Sequence, residues 1–204
     1  MEQWKTLSKD VILKGSRFLT VENHTVQLPD GRIIADWPWI ITPDFVNVVA
    51  VTDEGRFLCF RQTKYAIAGT SLAPVGGYID PGEEPLTAAR RELLEETGYE
   101  SDSWNALGSY PADANRGCGT GNFFLARDVR RVADPKKDDL EEQELLELSR
   151  EQIKPAPQLN SSVDAGFITG IGAVKNGDAE RMLILMDIEA LMSSADMGLM
   201  DQLA

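Results

Sequence analysis

The stretch Gly77-Tyr78-Ile79-Asp80-Pro81-Gly82-Glu83-Glu84-Pro85-Leu86-Thr87-Ala88-Ala89-Arg90-Arg91-Glu92-Leu93-Leu94-Glu95-Glu96-Thr97-Gly98-Tyr99 decides the fold. Gly76, Gly77, Pro81 and Gly82 make a loop, and a helical run begins near Pro85 and stops at Gly98. Proline suits the first helical turn and glycine the position just past the end. On that helix Leu86, Ala89 and Leu93 share one apolar side, while Glu92, Glu95 and Glu96, at offsets of three and four, fall on a neighbouring side. Like charges at such offsets destabilise a helix. A divalent cation supplies a reason for the cluster, because carboxylate oxygens suit Mg²⁺ or Mn²⁺, which keep waters and a phosphate oxygen in the remaining positions. Glu83, in the preceding loop, is placed to fold back on the same site. The same spacing also serves a solvated acidic face, and spacing alone leaves the two open.

Working outward, residues 11–41 are short apolar stretches broken by Gly15, Pro29-Asp30-Gly31 and Pro38, the pattern of strands joined by turns, with Leu28-Pro29-Asp30-Gly31-Arg32 a hairpin tip. Valine-rich residues 45–51 form the strongest strand, and Asp53-Glu54-Gly55 turns the chain into a second at 57–60. Residues 119–126 and 144–148 are two further strands, separated by the polar loop Asp134-Pro135-Lys136-Lys137-Asp138-Asp139. Helices are expected near Arg150, over 165–173 and over 180–193. The last residues, with Met197 and Met200, either pack on a partner or fray.

With 204 residues, the chain is one domain's worth of sequence and long enough to bury a core. Its 43% hydrophobic and 26% charged residues disfavour disorder and fibres. Twenty Lys and Arg against 33 Asp and Glu give a net charge of -13, which repels phosphate backbones and argues against nucleic-acid binding. Two cysteines, Cys59 and Cys118, make no disulfide framework, so a reducing compartment is expected; Cys59 is expected as a buried thiol and Cys118 as more exposed. No secretory or membrane-spanning segment is predicted, and a cytoplasmic, soluble protein is expected. His24, far from the acidic helix, is expected at a turn or the surface with no role.

Gly77, five residues, Glu83, seven residues, then Arg91-Glu92-Leu93-Leu94-Glu95-Glu96-Thr97-Gly98-Tyr99 resembles the Nudix hydrolase box, with Tyr99 where that family more often has an aliphatic residue. The resemblance implies an α/β fold: an αβα sandwich with a mixed central sheet holding a loop-helix-loop element, and a small N-terminal antiparallel β subdomain. It implies a metal site drawn from Gly77, Glu83, Glu92, Glu95 and Glu96, with Mg²⁺ as cofactor and Mn²⁺ as substitute. Glu92 and Glu96 would be the principal ligands, and Glu95 and Glu83 further ligands or holders of metal-bound water. Glu95 and Glu96 count among the catalytic residues, and Arg91 is structural, orienting a box glutamate.

Beyond the box, Leu28-Pro29-Asp30-Gly31, Pro43-Asp44-Phe45-Val46, Arg61-Gln62 with Lys64, and Pro74-Val75-Gly76-Gly77 look like the ADP-ribose pyrophosphatase branch, so the similarity spans residues 4–151. That branch implies a dimerising subdomain over residues 1–41, a hydrolase domain over 42–193 and a tail over 194–204. It also implies a homodimer with a shared cleft and hydrolysis of ADP-ribose or a related nucleoside diphosphate sugar. GDP-mannose, a UDP-sugar or another nucleotide conjugate is the alternative substrate, and a non-catalytic nucleotide sensor the alternative function. Arg61 and Lys64 either face substrate phosphate and ribose or form surface ion pairs. Trp37, Trp39 and Phe45 either stack on adenine, close the dimer cleft or pack in a core. Two departures bear on specificity. Ser71-Leu72-Ala73 stands where the branch has a glutamate before Pro74, and a glycine-flanked loop carries Arg116, which either approaches a phosphate or sugar or lies on a mobile surface loop. The resemblance places the general base in the acidic loop 139–144, Glu141 first and then Glu142, and the other reading of that loop is a solvated acidic hairpin.

Overall fold

The computed structural model describes residues 2–65, 69–136, 142–153, 171–176 and 179–184, the last two segments by backbone alone. The strands in chain order are β1 (Lys5–Ser16), β2 (Leu19–Gln27), β3 (Ile33–Ile41), β4 (Phe45–Thr52), β5 (Phe57–Thr63), β6 (Thr70–Ala73) and β7 (Val75–Tyr78). Helix α1 (Pro85–Glu92) follows and widens into a π-helical turn over Leu93–Thr97. Then come β8 (Tyr99–Glu100), β9 (Ser103–Asp113), β10 (Gly117–Arg131), β11 (Gln143–Leu148), the single turn α2 (Arg150–Ile153), β12 (Ile171–Asn176) and β13 (Ala179–Ile184). Among the described residues no helix is long and apolar enough to cross a membrane.

The chain divides into two compact units, residues 1–45 with 109–121, and 46–108 with 122–204. In the first, β1, β2 and β3 form an antiparallel meander, and Gly117 pairs in parallel with Ile40. The β2–β3 turn is the expected hairpin tip: Leu28 donates to Arg32 and Gly31 to Leu28, each at 2.9 Å. Every residue of β1 is exposed, Leu7, Val11, Ile12 and Leu13 included. His24 departs from the surface position expected of it. It is 4% exposed, because His24 and Val26 take the inward positions of β2, and its ring stacks on Trp39 with centroids 5.3 Å apart.

In the second unit β5 is central. It pairs antiparallel with β4, β6 and β11, and β7 pairs with β4. Gly55, at φ 73°, closes the β4–β5 turn where a side chain would be strained. Val46, Val48 and Ala50 of β4, Leu58 and Phe60 of β5, Val75, and Phe124, Ala126 and Val129 of β10 make a buried cluster with Ala88, Ala89 and Leu93 of the helical segment. Alternation puts Val49, Val51 and Cys59 on the other face of the same strands, and these are buried too. Cys59 is the buried thiol expected, its pKa pushed up to about 12 by burial.

Helix content is sparse. The expected helix over 85–98 and a turn at Arg150 are present. The expected helices over 165–173 and 180–193 are corrected where the structure describes them, because Ile171–Asn176 and Ala179–Ile184 pair as an antiparallel hairpin. Gly177-Asp178, the dipeptide between the paired residues Asn176 and Ala179, is of a type that favours a two-residue hairpin and is the sequence signal for it. Residues 165–170 and 185–204, with Met197 and Met200, lie outside the described residues. Leu86, expected on the apolar side, is 38% exposed, and Ala88 takes its place in the core.

Leu93 is fully buried and joins the helical segment to the sheet, so Leu93→Ala should destabilise the protein by about 2–5 kcal/mol, whereas Leu86→Ala should stay within about 0.5 kcal/mol of the parent. Urea unfolding checks both values, and equal losses would mean that Leu93 does not anchor the helix.

Candidate functional site

Proline at the first helical position lacks the N–H that would have no partner there. Before it, Glu83 N–H donates to Asp80 O at 2.9 Å, and Asp80 N–H donates to the Glu83 carboxylate at 3.1 Å, folding the loop back toward the helix. At the other end Gly98 adopts φ 76° and donates to Leu94 O, while its own carbonyl accepts from Val132 and Ala133. A Cβ on Gly98 would collide with the Ala133 backbone, so only glycine fits.

Arg91 organises the carboxylates. Its Nε and Nη2 take the two oxygens of Glu83 at 3.0 and 2.9 Å, a bidentate pair. Nη1 donates to Glu92 Oε1 at 2.8 Å and to Glu95 Oε2 at 3.4 Å, and Nη2 also reaches the Tyr78 carbonyl at 3.1 Å. Glu95 Oε1 is held by the Lys136 ammonium. Glu92 lies directly over Gly77, and a Cβ there would overlap its carboxylate. Gly77 is thus the space that Glu92 occupies. Glu96 Oε2 accepts from Gly76 N–H at 3.3 Å, so adjacent glycines receive two helix carboxylates.

These partners set the proton affinities. The Arg91 hydrogen bonds hold Glu83 below the ordinary glutamate value, and Lys136 does the same for Glu95. Glu92 is pushed the other way, because burial outweighs its bond to Arg91. A cation would compensate that half-buried charge, and a donor set of carboxylate oxygens suits a hard divalent ion. Among the described residues no three His, Cys, Asp or Glu side chains converge into a ready-made cage. Arg91 stands among Glu83, Glu92 and Glu95 instead. Mg²⁺ needs no such cage, since one or two carboxylates with waters and substrate phosphates commonly hold it.

The remaining candidates are dispersed. Arg61 Nη1 donates to Glu144 at 3.1 Å, an exposed pair across the β5–β11 register. Lys64 follows β5 and is half-buried. In the other unit Trp37 Nε1 donates to Asn115 O at 2.8 Å and meets Trp4 edge-on, while Arg116 lies 3.6 Å from Asp113. Phe45 opens β4 and is half-buried. Cys118, between two glycines, is half-buried with φ 67°. Glu142 is exposed, and its carbonyl accepts from Thr63 at 3.4 Å. Glu141 lies outside the described residues. Lys136 is the contact that sequence reasoning missed. A lysine in a polar loop carries no local sign that it reaches a glutamate 41 positions earlier.

The loop-helix-loop laid on the mixed sheet thus carries Glu83, Glu92, Glu95 and Glu96 together. The chain matches the NUDIX domain over residues 42–167 and the nucleoside diphosphate sugar hydrolase N-terminal domain over residues 4–40, and it belongs to the Nudix family. It is 28% identical over 158 residues to the ADP-ribose pyrophosphatase of Bacillus subtilis, covering 78% of this chain and 83% of that protein. It is 26% identical over 163 residues to the CMP-5'-(N-acetyl-N-hydroxy-3-aminopropyl)phosphonate hydrolase of Streptomyces rubellomurinus, covering 80% and 78%. A crystal structure of an ADP compounds hydrolase shares the fold at TM-score 0.63 and 21% identity, over 75% of this chain and 82% of that one. The protein is an enzyme of pyrophosphohydrolase type, acting on a compound linked through a nucleoside diphosphate.

A carboxyl whose native pKa is raised contributes stability while protonated and loses it as pH rises through that value. In metal-free protein at pH 8, Glu92→Gln should therefore unfold at a higher temperature than the parent. The gap should narrow as pH falls toward the ordinary glutamate value of about 4.3. Calorimetry in EDTA checks this, and a parent more stable than the variant at pH 8 would contradict it.

Proposed function

We propose that the substrate is ADP-ribose or a related nucleoside diphosphate sugar, hydrolysed to AMP or another nucleoside monophosphate and a sugar phosphate. The observation that carries this reading is the seating of Glu92 over Gly77 and of Glu96 on the Gly76 N–H, two helix carboxylates held on one glycine pair. The N-terminal match and the ADP-ribose pyrophosphatase of Bacillus subtilis support the substrate class.

In this reading Glu92 and Glu96 hold Mg²⁺, for which Mn²⁺ substitutes. When bound there, the ion would supply neutralising charge for the phosphate oxygens and would make water more acidic. Arg91 keeps Glu83, Glu92 and Glu95 apart and aimed. Water adds to one phosphorus of the P–O–P bridge, the bridging oxygen leaves with the other phosphate, and Glu141, or Glu142 beside it, accepts the water's proton. Arg61, Lys64 and Arg116 supply positive charge for phosphate or ribose, and Trp37 and Phe45 an aromatic surface for the base. The domain is read as an αβα sandwich over 42–193, which accounts for strands buried on both faces. The subdomain over 1–41 is read as the homodimer contact, where a second copy would cover the apolar side chains exposed along β1.

With Mg²⁺ and a panel of ADP-ribose, GDP-mannose, UDP-sugars and dinucleotides, ion chromatography should show AMP and ribose 5-phosphate from ADP-ribose ahead of the others, and EDTA should abolish them. Glu96→Gln should keep the parental melting temperature and lose about a hundred-fold or more in turnover. Sedimentation of the same preparation should give the mass of two chains. Preferred cleavage of another conjugate would replace the substrate, undiminished turnover would remove Glu96 from the mechanism, and a single-chain mass would remove the dimer.

A further inference from the structure

The chain leaving β10 is tied to the end of the box helix at four points. Val132 and Ala133 N–H donate to Gly98 O at 2.8 and 3.1 Å, Lys136 N–H donates to Glu95 O at 2.8 Å, and the Lys136 ammonium holds Glu95 Oε1. The sequence then enters the acidic stretch Lys137-Asp138-Asp139-Leu140-Glu141. On its far side the chain is tied again: Thr63 N–H donates to Glu142 O at 3.4 Å, β11 pairs along β5, and Tyr99 OH donates to Glu147 Oε1 at 2.6 Å. Val132, Ala133 and Lys136 are thus all fixed on the helix end, and Lys136 on a box glutamate.

We propose that Lys136 is a positioning residue, which clasps Glu95 through its ammonium and its backbone N–H and so fixes the direction of the Glu95 carboxylate and holds the chain leaving β10 against the end of the box helix. The inference rests on the hydrolase reading above. With Lys136 on one oxygen and Arg91 on the other, Glu95 is occupied as a strut between the helix and the β10 exit. The ion pair is largely solvent-exposed on the lysine side, and exposed pairs add little to stability. Its effect therefore falls on geometry, since a shift of about 1 Å in a supporting group is enough to slow a positioned reaction.

The test uses the full chain with Mg²⁺ and ADP-ribose, and the variants Lys136→Met, Lys136→Arg, Glu95→Gln and the Glu95→Gln, Lys136→Met double variant. Lys136→Met should lower kcat about ten-fold while KM and the melting temperature hold, and Lys136→Arg should restore most of the loss. In the Glu95→Gln background Lys136→Met should add no further loss, because the strut is already broken. Amide hydrogen exchange over residues 132–136 should accelerate in Lys136→Met and match the parent in Lys136→Arg. Parental kcat in Lys136→Met, the same loss in both backgrounds, or unchanged exchange would each overturn the proposal. If the parent cleaves nothing in the substrate panel, the substrate reading fails separately and exchange alone decides: acceleration upholds the clasp and its absence overturns it.

Discussion

Four of the five glutamates in residues 83–96, Glu83, Glu92, Glu95 and Glu96, would splay apart if left to their mutual repulsion. Arg91 changes that balance. Its planar fork holds Glu83 on two nitrogens and bridges Glu92 and Glu95 with a third, so that one side chain sets the direction of three others. The guanidinium does this from the same helix turn as Glu92 and Glu95, which leaves the loop carrying Glu83 as the part that must come to meet it. Asp80 belongs to that loop and Tyr78 ends β7 just before it, and both are drawn into the same set of bonds.

The geometry around Arg91 holds only if the helix sits close to the sheet. Ala88 and Ala89 provide the close approach, and Leu93 fills the space one turn later. Glycines then do two different things. Gly77 lets a carboxylate lie on the backbone, whereas Gly98 lets the helix end against the chain leaving β10. The π-helical turn lies between these points, with Thr97 Oγ1 donating to Leu93 O at 2.5 Å inside it. Widened turns of this kind recur at functional sites.

The box was legible because its signals are local: proline at the start, glycine at the end and carboxylates at helical spacing. The hairpin at Pro29-Asp30-Gly31 and the valine-rich β4 were legible for the same reason. What failed depends on partners distant in sequence. Leu86 has the right spacing for the core, but the helix turns Ala88 toward the sheet instead. His24 looked superficial until the β2 pleat turned it inward against Trp39. Arg61 was open between a substrate group and a surface ion pair, and only strand register sets it opposite Glu144. The β12–β13 segment was read at helical period although Gly177-Asp178 signalled a turn. Lys136 had no signal at all, because its partner is set by the path of β10.

The central claim is that Glu92 and Glu96, seated on Gly76 and Gly77, hold the divalent cation. Crystals grown with Mn²⁺ and measured for anomalous scattering at the manganese edge test it most directly. The account predicts a peak within about 2.0–2.3 Å of carboxylate oxygens of both Glu92 and Glu96, with Arg91 still bonded to Glu83. A peak ligated elsewhere, with Glu92 and Glu96 left out of its coordination, would contradict it.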